Sequence, residues 1–436
     1  MIKRILNIAL FIAFFSPLGF AQVRLDSVEV ARILNEDLQP ATTVQNVQAE
    51  EETEDTIVVF ESNPKLSWQE NIRGALTDVL QNSRLTETAQ IGFLAWDLTD
   101  DQPLYAYHEK MQLRPASTMK CITAIAALDR LGNDYQFQTQ LYRRGELTDS
   151  IQTFMGDLYI VGGMDPMLKE ADLAVFVDSL KALGIQRIVG NIYADLSLKE
   201  KEKWGSGWCW DDDNPTLSPL LLNKRNDFMG RFLRRLQAAG ITLQGEMGEK
   251  VLPKDATPVA CVQRSIAQVM QPMMKQSDNL YAEAVFYQLN GRANGRWTTA
   301  KQNAEHVKAL IKKVGLSPQN YRIADGSGLS LYNYASAELE VSLLRYAFQN
   351  EQIYPTLLAS MPIAGVDGTL RNRMRGTKAV GNVRAKTGTL IGVSSLAGYL
   401  TALNGHRLCF AIIINGGMSN VSMRNLQNKI CIILSQ

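Results

Sequence analysis

The chain reads as a mixed α/β (α+β) protein: one antiparallel sheet assembled from both ends of the sequence, flanked by helices, with one smaller α/β domain inserted between. Three observations carry this reading. Strand-like segments with turn signals lie near both ends. IGFLAWDL (91–98) and PLYAYH (103–108) flank an Asp-Asp turn at Asp100 and Asp101, while VSSLAGYLTA (393–402) and RLCFAIIIN (407–415) flank LNGH. The run opening at Ser117, STMKCITAIAALDRLG, is apolar almost all the way round, which predicts a helix buried between layers. The middle of the chain alternates GDLYIVGG, IVGNIYADLS and the helix-like FMGRFLRRLQAAG, predicting a separate α/β unit.

At 436 residues the chain exceeds one ordinary domain. Its 45 basic and 44 acidic side chains nearly cancel, so no field steers it to nucleic acid or an anionic membrane, and no nucleic-acid partner is expected. At the start, Lys3 and Arg4 precede an apolar stretch from Ile5 to Phe15, a Pro-Gly break and a small residue at Ala21. This predicts a signal peptide over 1–21, because the apolar core falls short of the roughly 20 residues a spanning helix needs. No second candidate span follows, so an exported, periplasmic protein without a stable membrane span is expected. The five cysteines, Cys121, Cys209, Cys261, Cys409 and Cys431, are odd in number and scattered, forming neither a disulfide framework nor a metal pattern. Pairing of Cys409 with Cys431 stays open, but small buried core residues describe the set better.

Residues 22–63 are polar and acidic, with AEEETED at 49–55, and read as a flexible leader. Order is expected from LSWQENIRGALTDVLQ, where Ser67 is an N-cap and Ile72, Leu76, Val79 and Leu80 share one helical face. The chain closes on an amphipathic helix in SNVSMRNLQNKICIIL. The expected organisation is a catalytic domain from 64–134 plus 262–436 and an inserted domain over 135–261.

Chemistry enters at Ser117-Thr118-Met119-Lys120. A hydroxyl one helical turn from an amine can lose its proton to that amine if burial lowers the lysine pKa. The spacing alone means little, since Ser62-Asn63-Pro64-Lys65 repeats it in the leader; there, a Pro lies inside it. By itself Ser117 could equally be an N-cap with Lys120 reaching to solvent. Two further segments tip the balance: Ser277-Asp278-Asn279 at a break before an apolar helix, and Lys386-Thr387-Gly388 in a strand expected at the sheet edge. Together, in this order, they match a serine-acylation constellation. Ser277 offers a hydroxyl for proton relay, Asn279 an amide for substrate, and Lys386 a positive charge that fixes Ser277. Gly388 would leave room for an acyl chain against the strand. The Thr389 and Ser117 backbone N–H groups would form an oxyanion hole, and the Thr387 and Thr389 hydroxyls suit a substrate carboxylate.

On these motifs, with GDLYIVGGMDPML, GNIYADLS, GWCWDDDNP, DGSGLS (325–330) and GVDGTL (365–370), the chain resembles the class C low-molecular-mass penicillin-binding proteins, the D-alanyl-D-alanine carboxypeptidase/endopeptidase (DacB-type) family. The similarity runs from about Ala75 to Ile432. The resemblance implies a penicillin-binding-protein/β-lactamase-like transpeptidase domain. It also implies hydrolysis of peptidoglycan stem peptides through an acyl-enzyme, β-lactams as covalent inhibitors, and no metal or organic cofactor. Only 160 positions separate Ser117 from Ser277, which fits one inserted domain but not the additional nested domain of longer members. In the family an acid of the WCWDDD region binds the amino end of the peptide side chain, which points to Asp212, with Asp211 as rival and a solvated acidic loop as the plain alternative. DGSGLS, GVDGTL and Arg384 receive no catalytic step.

Other classes fit less well. A Ser-His-Asp hydrolase would draw on only His108, His306 and His406, without a G-x-S-x-G elbow, and a zinc peptidase lacks H-E-x-x-H. A β-lactamase shares the three motifs, yet no E-x-x-L-N segment is present to deacylate quickly. A non-catalytic peptidoglycan or β-lactam receptor would not need Ser117, Lys120, Ser277, Asn279 and Lys386 all intact.

Overall fold

Strand β12 (Arg407–Asn415) reads RLCFAIIIN, almost without a polar interruption, because both its faces are covered. The structure, a computed structural model, describes residues 60–148, 152–291 and 297–436. The expected signal peptide and most of the leader fall outside these residues. β12 sits mid-sheet between β1 (Gln90–Asp97) and β11 (Val393–Thr401), with β2 (Gln102–Tyr107) and β10 (Arg384–Leu390) at the edges, giving the all-antiparallel order β10-β11-β12-β1-β2. The sheet thus joins the two ends of the described chain, as the hairpin signals predict. The turn between β1 and β2 is closed by Asp97, which accepts from the Thr99 and Asp100 N–H groups and lies 2.6 Å from His406 Nδ1 on the neighbouring hairpin.

Alternation along the strands feeds two cores. Phe93, Ala95, Leu408, Phe410, Ile412 and Ile414 face helices α1 (Trp68–Gln81) and α10 (Asn420–Leu434). Leu94, Cys409 and Ala411 face α2 (Met119–Leu131), α5 (Ile266–Lys275), α6 (Asn279–Gln288), α7 (Ala300–Lys313) and α8 (Ala337–Phe348). α9 (Tyr354–Ser360) packs on α5 and α8. Ser67 caps α1 through a reciprocal bond with Glu70, the capping-box arrangement.

A seven-stranded sheet carries the third core: β3 (Gln136–Thr148), β4 (Thr153–Val161), β5 (Arg187–Val189), β6 (Ile192–Asp195), β7 (Thr242–Gln244), β8 (Met247–Glu249) and β9 (Thr257–Ser265). β3 pairs antiparallel with β4 and β9, whereas the β4–β5, β4–β6, β5–β7 and β6–β8 pairings are parallel. Helices α3 (Leu173–Ala182) and α4 (Phe228–Ala238) cover it through Phe176, Phe228 and Phe232. All five cysteines are free thiols; Cys121, Cys409 and Cys431 are buried, as expected for core residues, but Cys261 is exposed and Cys209 half-buried. No described helix is long and apolar enough to cross a membrane.

Candidate active site

Ser117 lies in a 3-10 turn, Ala116–Thr118, that runs into α2. The turn is tightly built. Ala116 adopts a left-handed φ of 48°, an uncommon state for a residue with a Cβ, and is fully buried. It is held from both sides. A Cβ on Gly328, whose φ is 82°, would fall 1.8 Å from the Ala116 carbonyl oxygen. On the other flank the Thr118 and Ser395 hydroxyls both reach the Pro115 carbonyl, at 2.8 and 2.5 Å. Ser117 itself stays half-exposed at the mouth of the buried helix, with its N–H in the first turn, where no intrahelical acceptor is available. The second Ser-x-x-Lys, Ser62 to Lys65, forms an exposed turn and no helix.

Lys120 is fully buried, and its Nζ has three oxygen neighbours: Ser117 Oγ at 2.8 Å, Asn279 Oδ1 at 2.7 Å and the Ser327 carbonyl at 2.8 Å. Asn279 Oδ1 and the carbonyl can only accept. A neutral amine therefore spends both its N–H bonds on them and turns its lone pair to the Ser117 hydroxyl, while an ammonium donates to all three. Burial pushes the Lys120 pKa down to about 8, against the opposing charges of Asp325 and Glu283. A usable neutral fraction follows near neutrality.

Ser277 occupies the break between α5 and α6 with a φ of 61°, and Asp278 caps α6 at Tyr281 N–H. The three-residue segment faces two lysines at once: Asn279 touches Lys120, and Ser277 Oγ lies 2.8 Å from Lys386 Nζ, which also donates to the Thr387 carbonyl at 2.6 Å. Lys386 is fully buried, and burial, with Lys120 nearby, holds its pKa well below the ordinary lysine value. Burial thus disfavours a positive charge on Lys386 and makes a proton it carries easier to pass to Ser277.

β10 is the edge strand expected for Lys-Thr-Gly. Lys386 and Gly388 are buried toward the Ser117 turn, and Thr387 and Thr389 alternate to the open side. Backbone direction alternates too: Ala385 N–H reaches outward to the Pro362 carbonyl, so the N–H groups of Thr387 and Thr389 share that outer edge. The reason for Gly388 differs from the one expected. A Cβ there would lie 2.1 Å from Ser395 Oγ and 2.8 Å from both the Pro115 oxygen and the Ser117 nitrogen. The missing side chain makes room for the serine turn, not for an acyl chain.

DGSGLS gains a definite place. Asp325 accepts from the Gly328 and Ser330 N–H groups, from Asn333 Nδ2 and from Trp208 Nε1 at 2.8 Å. Glu283, buried on α6, accepts from the Gly326 and Ser327 N–H groups, and burial raises its pKa to about 8. Together they aim the Ser327 carbonyl at Lys120. Glu340 on α8, also fully buried with its pKa raised to about 8, reaches Thr118 Oγ1 at 2.5 Å. For Glu283 the signal was available as the lone acid in the apolar helical run NLYAEAVF, while Glu340 shares AELEVSLL with Glu338; in both cases the partners are distant in sequence. Trp208 and Lys224 reach across from the segment that carries the seven-stranded sheet, Lys224 pairing with Asp278. Asp212 is half-buried beside exposed Asp211 on the loop after Trp208, and neither forms a hydrogen bond with the motif side chains.

The antiparallel sheet, the buried α2 and the two serine–lysine pairs define a penicillin-binding-protein/β-lactamase-like architecture. The chain belongs to the D-Ala-D-Ala carboxypeptidase 3 (S13) family, whose model matches residues 72–220 and 214–436. Its relatives include D-alanyl-D-alanine carboxypeptidase DacB of Haemophilus influenzae, 26% identical over 76% of this chain and 87% of that protein. Another is a D-alanyl-D-alanine carboxypeptidase of Actinomadura sp. strain R39, 27% identical over 84% of each. The fold is shared with the crystal structure of penicillin binding protein 4 (dacB) from H. influenzae, with TM-score 0.73, 24% identity, and coverage of 81% of this chain and 97% of that one.

Proposed function

We propose that this D-Ala-D-Ala carboxypeptidase acts on peptidoglycan stem peptides in the periplasm with Ser117 as nucleophile and Lys120 as its general base. The observation that carries the reading is the three-oxygen shell of Lys120, which satisfies the amine before and after it takes the Ser117 proton. Ser117 Oγ attacks the carbonyl carbon of the penultimate D-Ala. The oxyanion is received by the N–H groups of Ser117 and Thr389, which costs no reorganisation because both belong to fixed backbone. Collapse breaks the C–N bond, and the leaving amine takes its proton through Ser277 from the buried Lys386. Asn279, whose Nδ2 has no hydrogen bond within the described residues, holds the substrate backbone; Thr387 and Thr389 receive the terminal carboxylate, and Asp212 the amino end of the peptide side chain. Water resolves the acyl-enzyme. The same chemistry gives DD-endopeptidase action where a cross-linked donor fits, and a β-lactam acylates Ser117 in place of substrate.

Mass spectrometry after penicillin exposure tests this directly. Wild-type protein is expected to gain one penicilloyl adduct that Ser117→Ala cannot form; no adduct on wild type, or an adduct persisting in the variant, overturns the assignment. An adduct lasting hours separates the enzyme from a β-lactamase, which would clear it within about a second.

A further inference from the structure

GVDGTL has no task in the mechanism, although its loop touches Lys275, beside the second motif, and Thr387 of the third. Thr369 Oγ1 lies 2.8 Å from Thr387 Oγ1, and the pair is open to solvent. From this we infer that Thr369 is a further substrate-binding residue. Its hydroxyl and that of Thr387 would form a two-hydroxyl seat for the carboxylate on the carbon that bears the leaving nitrogen. The inference rests on the carboxypeptidase reading above and names a binding group that reading does not contain.

The loop is built to present this hydroxyl rigidly. Asp367 takes a bidentate ion pair from Lys275 Nζ, at 2.8 and 2.6 Å, and also accepts from Ile363 N–H at 2.9 Å. Lys275 stands two residues before Ser277, so the clamp ties the loop to the second motif. Gly368, with φ of 58°, lets the backbone pass so close to the Lys275 carbonyl that a Cβ would fall 2.8 Å from that oxygen. Gly365 N–H closes the loop on the Leu370 carbonyl, and the Leu370 side chain is fully buried as an anchor. Between these fixed points Thr369 is left outward beside the β10 edge, next to its partner hydroxyl on Thr387.

The strand edge explains why a chain end would lie there. Residues 362–364 already cover the first half of β10: Ala364 N–H bonds the Val383 carbonyl and Ala385 N–H bonds the Pro362 carbonyl. The edge is therefore free only from Thr387 onward. A donor strand lying antiparallel to β10, with its scissile carbonyl at the Thr389 and Ser117 N–H groups, runs toward Thr387 as it passes to its leaving residue. One residue later its backbone meets the covered edge, and the carboxylate arrives at Thr387 and Thr369. The loop thus ends the groove and supplies donors for the negative charge that stops there.

The test uses two thioester donors, one whose leaving group carries a carboxylate and one carrying the neutral carboxamide. Thr369→Val, nearly isosteric at an exposed position, is expected to lose roughly ten- to hundredfold in kcat/KM on the carboxylate donor, the size of a hydrogen bond to a charged group. The carboxamide donor should change less than about twofold, and Thr369→Ser should restore the carboxylate donor. Equal losses on both donors would show a scaffolding role and overturn the inference, as would no loss on either. Penicillin labelling of Ser117 in the same wild-type preparation keeps the outcomes apart, because failure to label strikes the proposed mechanism and not Thr369.

Discussion

Glu340 Oε1 lies 2.5 Å from the hydroxyl of Thr118, the residue next to the proposed nucleophile, while its other oxygen is buried with no hydrogen-bond partner among the described residues. Thr118 shares its one hydroxyl hydrogen between the Pro115 carbonyl, at 2.8 Å, and Glu340, while burial raises the Glu340 pKa to about 8 and favours a proton on it. A neutral acid also avoids the cost of an uncompensated buried charge. Glu340→Gln should therefore retain penicillin acylation within a few-fold, whereas Glu340→Ala should lower stability by about 2–4 kcal/mol in denaturant titrations.

The same residue sets a pH slope. Its pKa rises from 4.5 to about 8 on folding, so between those values the folded state keeps a proton that the unfolded chain has lost. Raising pH across that window favours unfolding, and the contribution is level below 4.5 and above 8. Wild type should lose stability relative to Glu340→Gln by on the order of 1 kcal/mol per pH unit within the window. Parallel curves for the two proteins would contradict a protonated Glu340.

Lys120 gives the acylation step its pH dependence. With its pKa lowered to about 8, the neutral base is lost as pH falls, and the second-order rate with benzylpenicillin should drop about tenfold per unit below that value. Lys120→Arg, which keeps charge but cannot deprotonate, should be slower by about 10²–10⁴-fold at every pH. A flat profile in wild type would rule out this base.

Gly388→Ala should slow acylation at least about tenfold by pushing on the Ser117 nitrogen. Adding Ser395→Ala removes the nearest clash, 2.1 Å, but leaves the backbone contacts at 2.8 Å, so recovery should be partial. Stopped-flow acylation of the single and double variants reads this out, and full activity in Gly388→Ala would show that the strand does not brace the turn.

Gly328→Ala places a methyl 1.8 Å from the Ala116 oxygen at a left-handed φ, and no flexible side chain can yield. About 3 kcal/mol of destabilisation is expected in thermal melts, with slower acylation of the protein that remains folded.

The motif serines and lysines were legible because the chemistry needs those residue types in that order, and the edge position of Lys386 followed from the strand pattern. The braces were not. Glu283, Glu340 and Ser327 act on Lys120 and Ser117 from 163 to 223 positions away, and what Ser327 contributes is a backbone carbonyl, which no residue type announces. Gly388 was read for the right absence and the wrong occupant, since a sequence does not say which neighbour fills the space a glycine leaves.

The bonds Trp208–Asp325 and Lys224–Asp278 have a consequence for modularity. Cutting out the segment that carries the seven-stranded sheet would remove the indole from one carboxylate beneath the site and the ammonium from another within the second motif. The two contacts couple that segment to both acids beside the site. A shortened version of the chain would therefore have to keep Trp208 and Lys224, or re-satisfy Asp325 and Asp278 from elsewhere.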